Sequence, residues 1–148
     1  MMTIAIGSDH AGFKHKEAIK QMLVDEGYTV LDVGTDSEER VDYPDFGVAA
    51  GRLVADGSAD YGVLVCGSGI GISIAANKIK GVRAANVTSV EMAELSRQHN
   101  NANMVAVGER ITPLEEALEI VKAFLKAEFE GGRHEQRVAK INTIGDIA

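Results

Sequence analysis

The chain has few of the residues that stabilise small secreted proteins or anchor proteins in membranes. Its 148 residues include one cysteine, two prolines and no tryptophan. A single cysteine excludes a disulfide within the chain and suits a reducing compartment, so we expect a cytoplasmic protein. No apolar run is long enough to cross a bilayer, and the first strand pattern begins at Thr3 without a secretory leader. The sequence therefore predicts no membrane association.

Positive charge and metal-binding motifs are also scarce. The chain has 15 Lys and Arg against 22 Asp and Glu, a formal net charge of -7. This acidity argues against a nucleic-acid partner, and an anionic substrate would need a local group of arginines. The sequence contains no His-x-x-x-His pair, no Cys-x-x-Cys pair and no Asp-rich loop. We therefore expect neither a metal ion nor a cofactor.

The sequence does contain a regular alternation of strand and helix patterns. Strand patterns cover residues 3–7, 28–33, 61–66, 82–87 and 103–107. Helix patterns cover residues 13–26, 43–55, 72–79, 88–99, 113–128 and 133–141, with capping boxes expected at 88–91 and 112–115. Continuous apolar strands separated by helices indicate a parallel sheet covered on both faces. We predict one α/β domain over residues 1–148, a three-layer α/β/α arrangement with a five-stranded parallel Rossmann-like sheet.

Polar or glycine-rich segments follow the first, third and fifth strand patterns. Asp9 and His10 follow the first, residues 66–71 follow the third, and Arg110 comes shortly after the fifth. Sites in open parallel sheets lie outside the carboxyl ends of the strands, so these segments should converge. A capping aspartate beside a surface histidine is the plainer interpretation of Asp9 and His10.

The segment Cys66-Gly67-Ser68-Gly69-Ile70-Gly71 joins a strand to a helix and holds the lone thiol. Free backbone N–H groups and a helix N-terminus stabilise anions, whether a phosphate, an oxyanion or a thiolate. An ordinary crossover with a small apolar cysteine is the alternative. The loop lacks both the Lys-Ser/Thr ending of a nucleotide P-loop and the full dinucleotide fingerprint.

Two further clusters carry candidate side chains. Residues 96–103 end a helix pattern and include His99 and Asn100, although a polar helix end explains them equally well. Arg133 and Arg137 lie one helical turn apart and could hold a phosphate together, or form a solvated basic face. His15 and His134 lie in charged helical contexts, and we expect both at the surface.

Five motifs occur in order: Gly-Ser-Asp-His-Ala-Gly at 7–12, Asp-Tyr-Pro-Asp at 42–45, the segment 66–78, Ser-Arg-Gln-His-Asn at 96–100 and Glu-Gly-Gly-Arg-His at 130–134. Together they span nearly the whole chain and resemble the type B ribose-5-phosphate isomerase family, shared with galactose-6-phosphate and allose-6-phosphate isomerases. The resemblance implies a metal-free aldose–ketose isomerase that interconverts ribose 5-phosphate and ribulose 5-phosphate in the pentose phosphate pathway.

The same resemblance implies a role for each matched residue. Cys66 would be the base that moves a proton between C1 and C2, with the Ser68 hydroxyl assisting. His99, together with Asp9, would open the furanose ring. The remaining expected substrate contacts are the backbone of Gly67, Ser68, Gly69, Ile70 and Gly71, the side chains of His10, Tyr43 and Asn100, and the phosphate ligands Arg110, Arg133 and Arg137.

The resemblance also implies a homodimer with shared active sites, with a tetramer as a larger alternative. Some members of the family use a glutamate where this chain has Ile72, so Cys66 places the chain in the cysteine-using branch. A six-carbon sugar phosphate remains open as substrate, because only pocket depth would separate the two. A non-catalytic sugar-phosphate sensor and a flavodoxin-like nucleotide-binding module are the alternatives from other classes.

Overall fold

The structure is a computed structural model that describes residues 2–146. Its strands are β1 (Thr3–Ser8), β2 (Thr29–Asp32), β3 (Tyr61–Cys66), β4 (Ala84–Asn86) and β5 (Met104–Gly108). Its helices are α1 (Phe13–Asp25), α2 (Tyr43–Ala55), α3 (Ile70–Asn77), α4 (Val90–Gln98), α5 (Leu114–Lys126) and α6 (Arg133–Asn142), with a short 3-10 turn before α1. No helix within this described range is both long and apolar enough to cross a membrane.

The five strands form one parallel sheet in the order β2-β1-β3-β5-β4, which confirms the predicted fold class. Successive side chains of a strand point to opposite faces. In β3, Val63 and Val65 therefore join the core cluster on one face, while Leu64 and Cys66 join the cluster on the other. Because both faces are buried, the strands contain continuous apolar runs.

The helices divide between these two faces. Helices α1, α4 and α5 contribute Ile19, Ala93 and Phe124 to the first cluster. Helices α2 and α3 contribute Ala50 and Ile72 to the second. The outcome is the expected three-layer arrangement, with the carboxyl ends of β1, β3 and β5 gathered at one edge of the sheet.

Several element ends differ from the sequence prediction. Helix α3 begins at Ile70, two residues early, so Ile70 and Gly71 form its first turn. Neither predicted capping box forms: Ser89 rather than Thr88 caps α4 and accepts from the Met92 N–H at 3.1 Å. Helix α5 follows Pro113 with no side-chain cap. Adjacent Thr and Ser give nearly equal capping patterns, and the register of the chain decides between them.

The prediction that His15 lies at the surface is wrong. Its side chain is buried, and its Nε2 lies 2.8 Å from the Thr112 carbonyl oxygen. The Glu109 carboxylate accepts from the His15 backbone N–H at 2.8 Å, a contact across 94 residues. The charged helical context of His15 could not reveal this burial because its partners lie in the connection after β5.

Candidate active site

A pocket of about 570 Å³ opens at the carboxyl ends of β1, β3 and β5. It lies where the order of the strands reverses, the usual position of sites in such sheets. The lining residues include most of the candidates from the sequence: Asp9, His10, Tyr43, Cys66, Gly67, Ser68, Ile70, Gly71 and Arg110. Side chains from four separate segments of the chain are thus brought to one cavity.

Cys66 ends β3 and is 4% exposed. Its Sγ accepts a hydrogen bond from the Gly69 N–H at 3.2 Å. The turn that aims this donor requires a left-handed residue, and Gly69 has φ 80°. The sulfur is thus held at the end of β3 with a backbone donor directed at it.

The glycine-rich turn offers fewer open donors than the sequence suggests. The Gly69 N–H donates to Cys66, and the Ile70 N–H donates to the Ser68 Oγ at 3.2 Å. The first N–H groups of a helix have no acceptor within it, so the Gly71 N–H at the start of α3 has no intrahelical partner. Because the Ser68 hydroxyl accepts from Ile70, its own proton is available for donation elsewhere.

Asp9 and His10 enter the pocket from the end of β1. Asp9 is buried, and its Oδ1 accepts from the Gly12 N–H at 3.1 Å, so the plain capping interpretation holds as well as the pocket one. His10 Nδ1 accepts from the Val41 N–H at 3.1 Å. That hydrogen bond assigns the ring proton to Nε2, the nitrogen free to donate.

Arg110 and Tyr43 flank the glycine-rich turn. The Arg110 N–H donates to the Gly67 carbonyl at 3.0 Å, and the guanidinium lies over Gly67, close to where a Cβ would be. The Tyr43 ring packs in the same way against Gly71, where a Cβ would lie 2.6 Å from the ring. Both glycines let a side chain close over the backbone of the turn.

His99 lies elsewhere, in a second group that we call the His99–Glu130–His134 cluster. The His99 and His134 rings stack with centroids 4.3 Å apart and planes 13° from parallel. Glu130 Oε1 lies 3.8 Å from Nε2 of each ring. The Glu130 N–H donates to the Gln98 carbonyl at 3.0 Å, which holds the α5–α6 connection against the end of α4.

The prediction that His134 lies at the surface is also wrong, since the residue is 6% exposed. Burial lowers the pKa of His134, and the nearby charges of His99 and Arg133 lower it further. Sequence reasoning assigned no role to His134 or Glu130, although both belong to the matched motif at 130–134. That motif was the available signal.

Arg133 and Arg137 lie on the exposed side of α6, next to this cluster. Asn100 is exposed and lines a different groove, beside Arg83 and Asn142. None of these three candidates lines the Cys66 pocket.

The two groups sit at opposite edges of the sheet. Helix α4 runs back against the strand direction, so its last residues lie near the start of β5. Two residues before His99, the Arg97 guanidinium donates to the Tyr61 hydroxyl at 2.9 Å, and Tyr61 is the first residue of β3. Cys66 is the last residue of β3, about 17 Å further along at roughly 3.3 Å per residue. One chain therefore does not bring His99, Arg133 or Arg137 to its own thiol.

A thiol beside backbone N–H donors, at the switch point of a parallel sheet, defines an enzyme pocket suited to an anionic intermediate. Residues 4–141 match the family described as Ribose/Galactose Isomerase, and the chain belongs to that family. The resemblance inferred from the five motifs is confirmed, and the chain is an enzyme of the aldose–ketose isomerase class.

Named relatives agree over nearly the full length. Ribose-5-phosphate isomerase B of Escherichia coli is 50% identical over 144 residues, 97% of each chain. A solved structure of Clostridium thermocellum ribose-5-phosphate isomerase B has a TM-score of 0.97 and 52% identity, covering 98% of both chains. Galactose-6-phosphate isomerase subunit LacB of Clostridium acetobutylicum is 44% identical over 139 residues, covering 94% of this chain and 80% of the relative.

Proposed function

We propose that the chain interconverts ribose 5-phosphate and ribulose 5-phosphate through an enediolate, with Cys66 as the base. The observation that carries the proposal is the buried Cys66 thiol, held by the Gly69 N–H on a pocket that also contains Arg110. The names of the similar proteins from Escherichia coli and Clostridium thermocellum support ribose 5-phosphate as substrate.

The proton transfer follows from the positions of these groups. The Cys66 thiolate takes the proton from C2 of the open aldose, and the electron pair forms the enediolate. The thiol then returns the proton to C1, while the Ser68 hydroxyl moves a proton between the two substrate oxygens. The Gly71 N–H at the start of α3, which has no intrahelical acceptor, stabilises the oxyanion, and losing one such donor typically costs about 3–4 kcal/mol.

Ring opening and phosphate binding need residues outside the Cys66 pocket, namely His99, Arg133 and Arg137. His99 is 37% exposed at its side chain, and an imidazole exchanges protons near neutral pH, so it suits ring opening together with Asp9 of the pocket. Arg133 and Arg137 project from one face of α6 and suit a dianionic phosphate. Arg110 completes this phosphate site from the pocket side, while His10, Tyr43 and Asn100 contact the sugar.

The proposal therefore requires a homodimer, in which the His99 edge of one chain completes the Cys66 pocket of its partner. A two-fold axis would make two identical sites from exchanged parts. Around the pocket, Ile70, Ile74 and Ile111 are 55%, 57% and 60% exposed. Exposed apolar side chains at the rim of a polar pocket are typical of a surface covered by another chain.

The remaining parts of the proposal concern context. We treat residues 1–148 as one isomerase domain because a single sheet carries all the described strands. The lone reduced cysteine at the proposed reaction centre is compatible with a cytoplasmic enzyme of the pentose phosphate pathway.

The direct test is the Cys66→Ala variant, assayed with ribose 5-phosphate beside the wild type. We expect turnover to fall by at least about a hundredfold, or 2.7 kcal/mol in barrier height, because the variant lacks the proposed base. Thermal unfolding with and without substrate is the control, and the variant should stay folded and still bind. A residual rate within about tenfold of wild type would contradict Cys66 as the base.

A six-carbon substrate is the alternative, and similarity to the galactose-6-phosphate isomerase subunit favours testing it. The chemistry at C1 and C2 is the same, so the length of the pocket decides. We expect kcat/KM for ribose 5-phosphate to exceed that for allose 6-phosphate and galactose 6-phosphate. The reverse order would transfer the proposal to the six-carbon sugar without changing the role of Cys66.

A further inference from the structure

The His99–Glu130–His134 cluster has the composition and spacing of a metal site. Each residue offers one ligand atom, and the three atoms lie within 4.8 Å of one another. The two distances of 3.8 Å between Glu130 Oε1 and the imidazole nitrogens are too long for hydrogen bonds. Ligand atoms placed about 2.1 Å from a tetrahedral ion lie roughly 3.4 Å from one another. The two distances of 3.8 Å from Glu130 Oε1 exceed this value by a few tenths of an ångström.

His134 supplies a second, independent observation. Its side chain is 8% exposed, and its Nε2 has no hydrogen-bond partner among the described residues. A buried ring nitrogen without a partner is uncommon because it loses water and gains nothing in return. Two histidines and one glutamate form an established protein ligand set for Zn²⁺, with a fourth position left for water or substrate.

We propose that the His99–Glu130–His134 cluster binds a divalent ion of the zinc class, and that the bound ion inhibits isomerisation by occupying the His99 nitrogen. The second half rests on the proposed function, whereas the binding site does not. His134 is the fixed ligand, while His99 and Glu130 are 37% and 54% exposed at their side chains and can turn toward it. The nearly parallel rings then separate as His99 rotates to converge on the ion.

The surrounding charges make this ion a reversible inhibitor rather than a resident cofactor. Arg133 and Arg137 on α6 act on the His134 imidazole and oppose a cation, while Glu130 is the carboxylate that attracts it. Two imidazoles in the ligand set favour zinc-class ions, whereas Mg²⁺ prefers oxygen ligands. Mg²⁺ should therefore neither bind at this cluster nor inhibit.

Calorimetric titration of chelator-treated protein with Zn²⁺ tests the site without any assay of turnover. We expect one ion per chain for the wild type and for Glu128→Gln, a control that removes an exposed carboxylate just before the cluster. Glu130→Gln should bind at least about tenfold more weakly, since changing even an outer-shell group commonly costs 10–100-fold. Glu130 is exposed, so circular dichroism should show an intact fold.

Cys66→Ala tests whether zinc binds instead at the thiol of the Cys66 pocket. Unchanged affinity in Cys66→Ala, with loss in Glu130→Gln, supports the cluster. Loss in Cys66→Ala, or unchanged affinity in Glu130→Gln, overturns it.

The inhibition is measured on wild-type protein with ribose 5-phosphate. Turnover is first recorded in chelator, where a failure would count against the proposed function alone. Added Zn²⁺ should then reduce the rate with a midpoint near the calorimetric Kd, and excess chelator should restore it. Binding to the cluster without loss of rate would overturn the inhibitory half, as would equal inhibition of wild type and Glu130→Gln.

Discussion

At the scale of single residues, the candidate site depends on how closely backbone and side chains approach at the glycine-rich turn. Gly69 is the sharpest case because it combines φ 80° with a crowded position. A Cβ on Gly69 would lie 2.3 Å from Asn86 Oδ1 and 3.0 Å from the Val107 carbonyl carbon. Gly69 thus donates its N–H to Cys66 from a position where the neighbouring strands leave no space for a side chain.

Replacing Gly69 with alanine should impair both stability and activity. The left-handed conformation costs about 1–2 kcal/mol for alanine, and overpacking adds about 1–3 kcal/mol. Gly57→Ala is a matched control, since Gly57 has φ 84° and nothing within 4 Å of the added Cβ. Chemical denaturation and isomerase assays should show the larger loss only for Gly69→Ala. Equal destabilisation in the two variants would argue against crowding at the turn.

His99→Asn should affect a ring-forming aldose more than one that cannot cyclise. Erythrose 4-phosphate forms no furanose because its O4 carries the phosphate, whereas ribose 5-phosphate must be opened first. We expect a loss of at least about tenfold for ribose 5-phosphate, in line with general acid–base catalysis, and a smaller loss for erythrose 4-phosphate. Steady-state kcat/KM on both substrates is the measurement. Similar losses on both would remove ring opening as the role of His99.

At the scale of elements, a partly buried ion pair joins α1 to the end of β2. Lys16 is 2% exposed, and its Nζ donates to Asp32 Oδ2 at 2.8 Å, while Lys20 donates to the same oxygen at 3.1 Å. Burial alone would raise the pKa of Asp32, but hydrogen bonds from Lys16, Gly34 N–H and Lys20 outweigh it and hold the pKa below its usual value. The same contact raises the pKa of Lys20.

Asp32→Asn should destabilise the fold by about 2–3 kcal/mol, since among residues 2–146 it leaves the buried Lys16 with Glu17 as its remaining charged partner. A lowered carboxyl pKa stabilises the folded state fully above the unfolded value of about 3.9, and this contribution disappears as pH falls through the lower folded value. Denaturation from pH 7 to pH 3 should therefore show the difference from wild type shrinking below about pH 4. Asp25→Asn, an exposed control on α1, should stay within about 0.5 kcal/mol at every pH.

Much of the fold could be predicted from the sequence because the patterns that identify the elements are local. Continuous apolar runs such as residues 61–66 identify buried parallel strands wherever their neighbours lie. Capping at Ser89 and burial of His15 were missed because they depend on register and on contacts across the sheet. In the site, the rule that the carboxyl ends of parallel strands converge predicted that Asp9, Cys66 and Arg110 lie together. The stacking of His134 on His99 could not be predicted in this way, because it depends on the position of the α5–α6 connection.

At the scale of the whole molecule, the two half-sites, the Cys66 pocket and the edge that carries His99, Arg133 and Arg137, lie apart in one chain. This separation allows a complementation test. A Cys66→Ala chain and an Arg137→Ala chain are each expected to be inactive. In a mixed dimer, one site would keep both residues and the other would lose both. Random reassortment makes half of the dimers mixed, so activity should recover to roughly a quarter of wild type.

Subunit exchange should be verified with differently tagged chains before the assay. An Arg52→Ala chain offers a control, because Arg52 is exposed in the last turn of α2 and does not line the Cys66 pocket, so this chain should be active by itself. No recovery after verified exchange would place the arginine and the thiol in the same chain's site, or show that the proposed dimer does not form.

The placement of His99 and Cys66 at opposite edges of the sheet also has a consequence for how specific activity depends on protein concentration. In the proposed dimer, a separated chain retains its fold but has two incomplete sites. Specific activity should then decline on dilution once the protein falls below the dissociation constant of the dimer. A substrate that bridges both half-sites would oppose that decline, because it binds the assembled form alone and draws chains together by mass action.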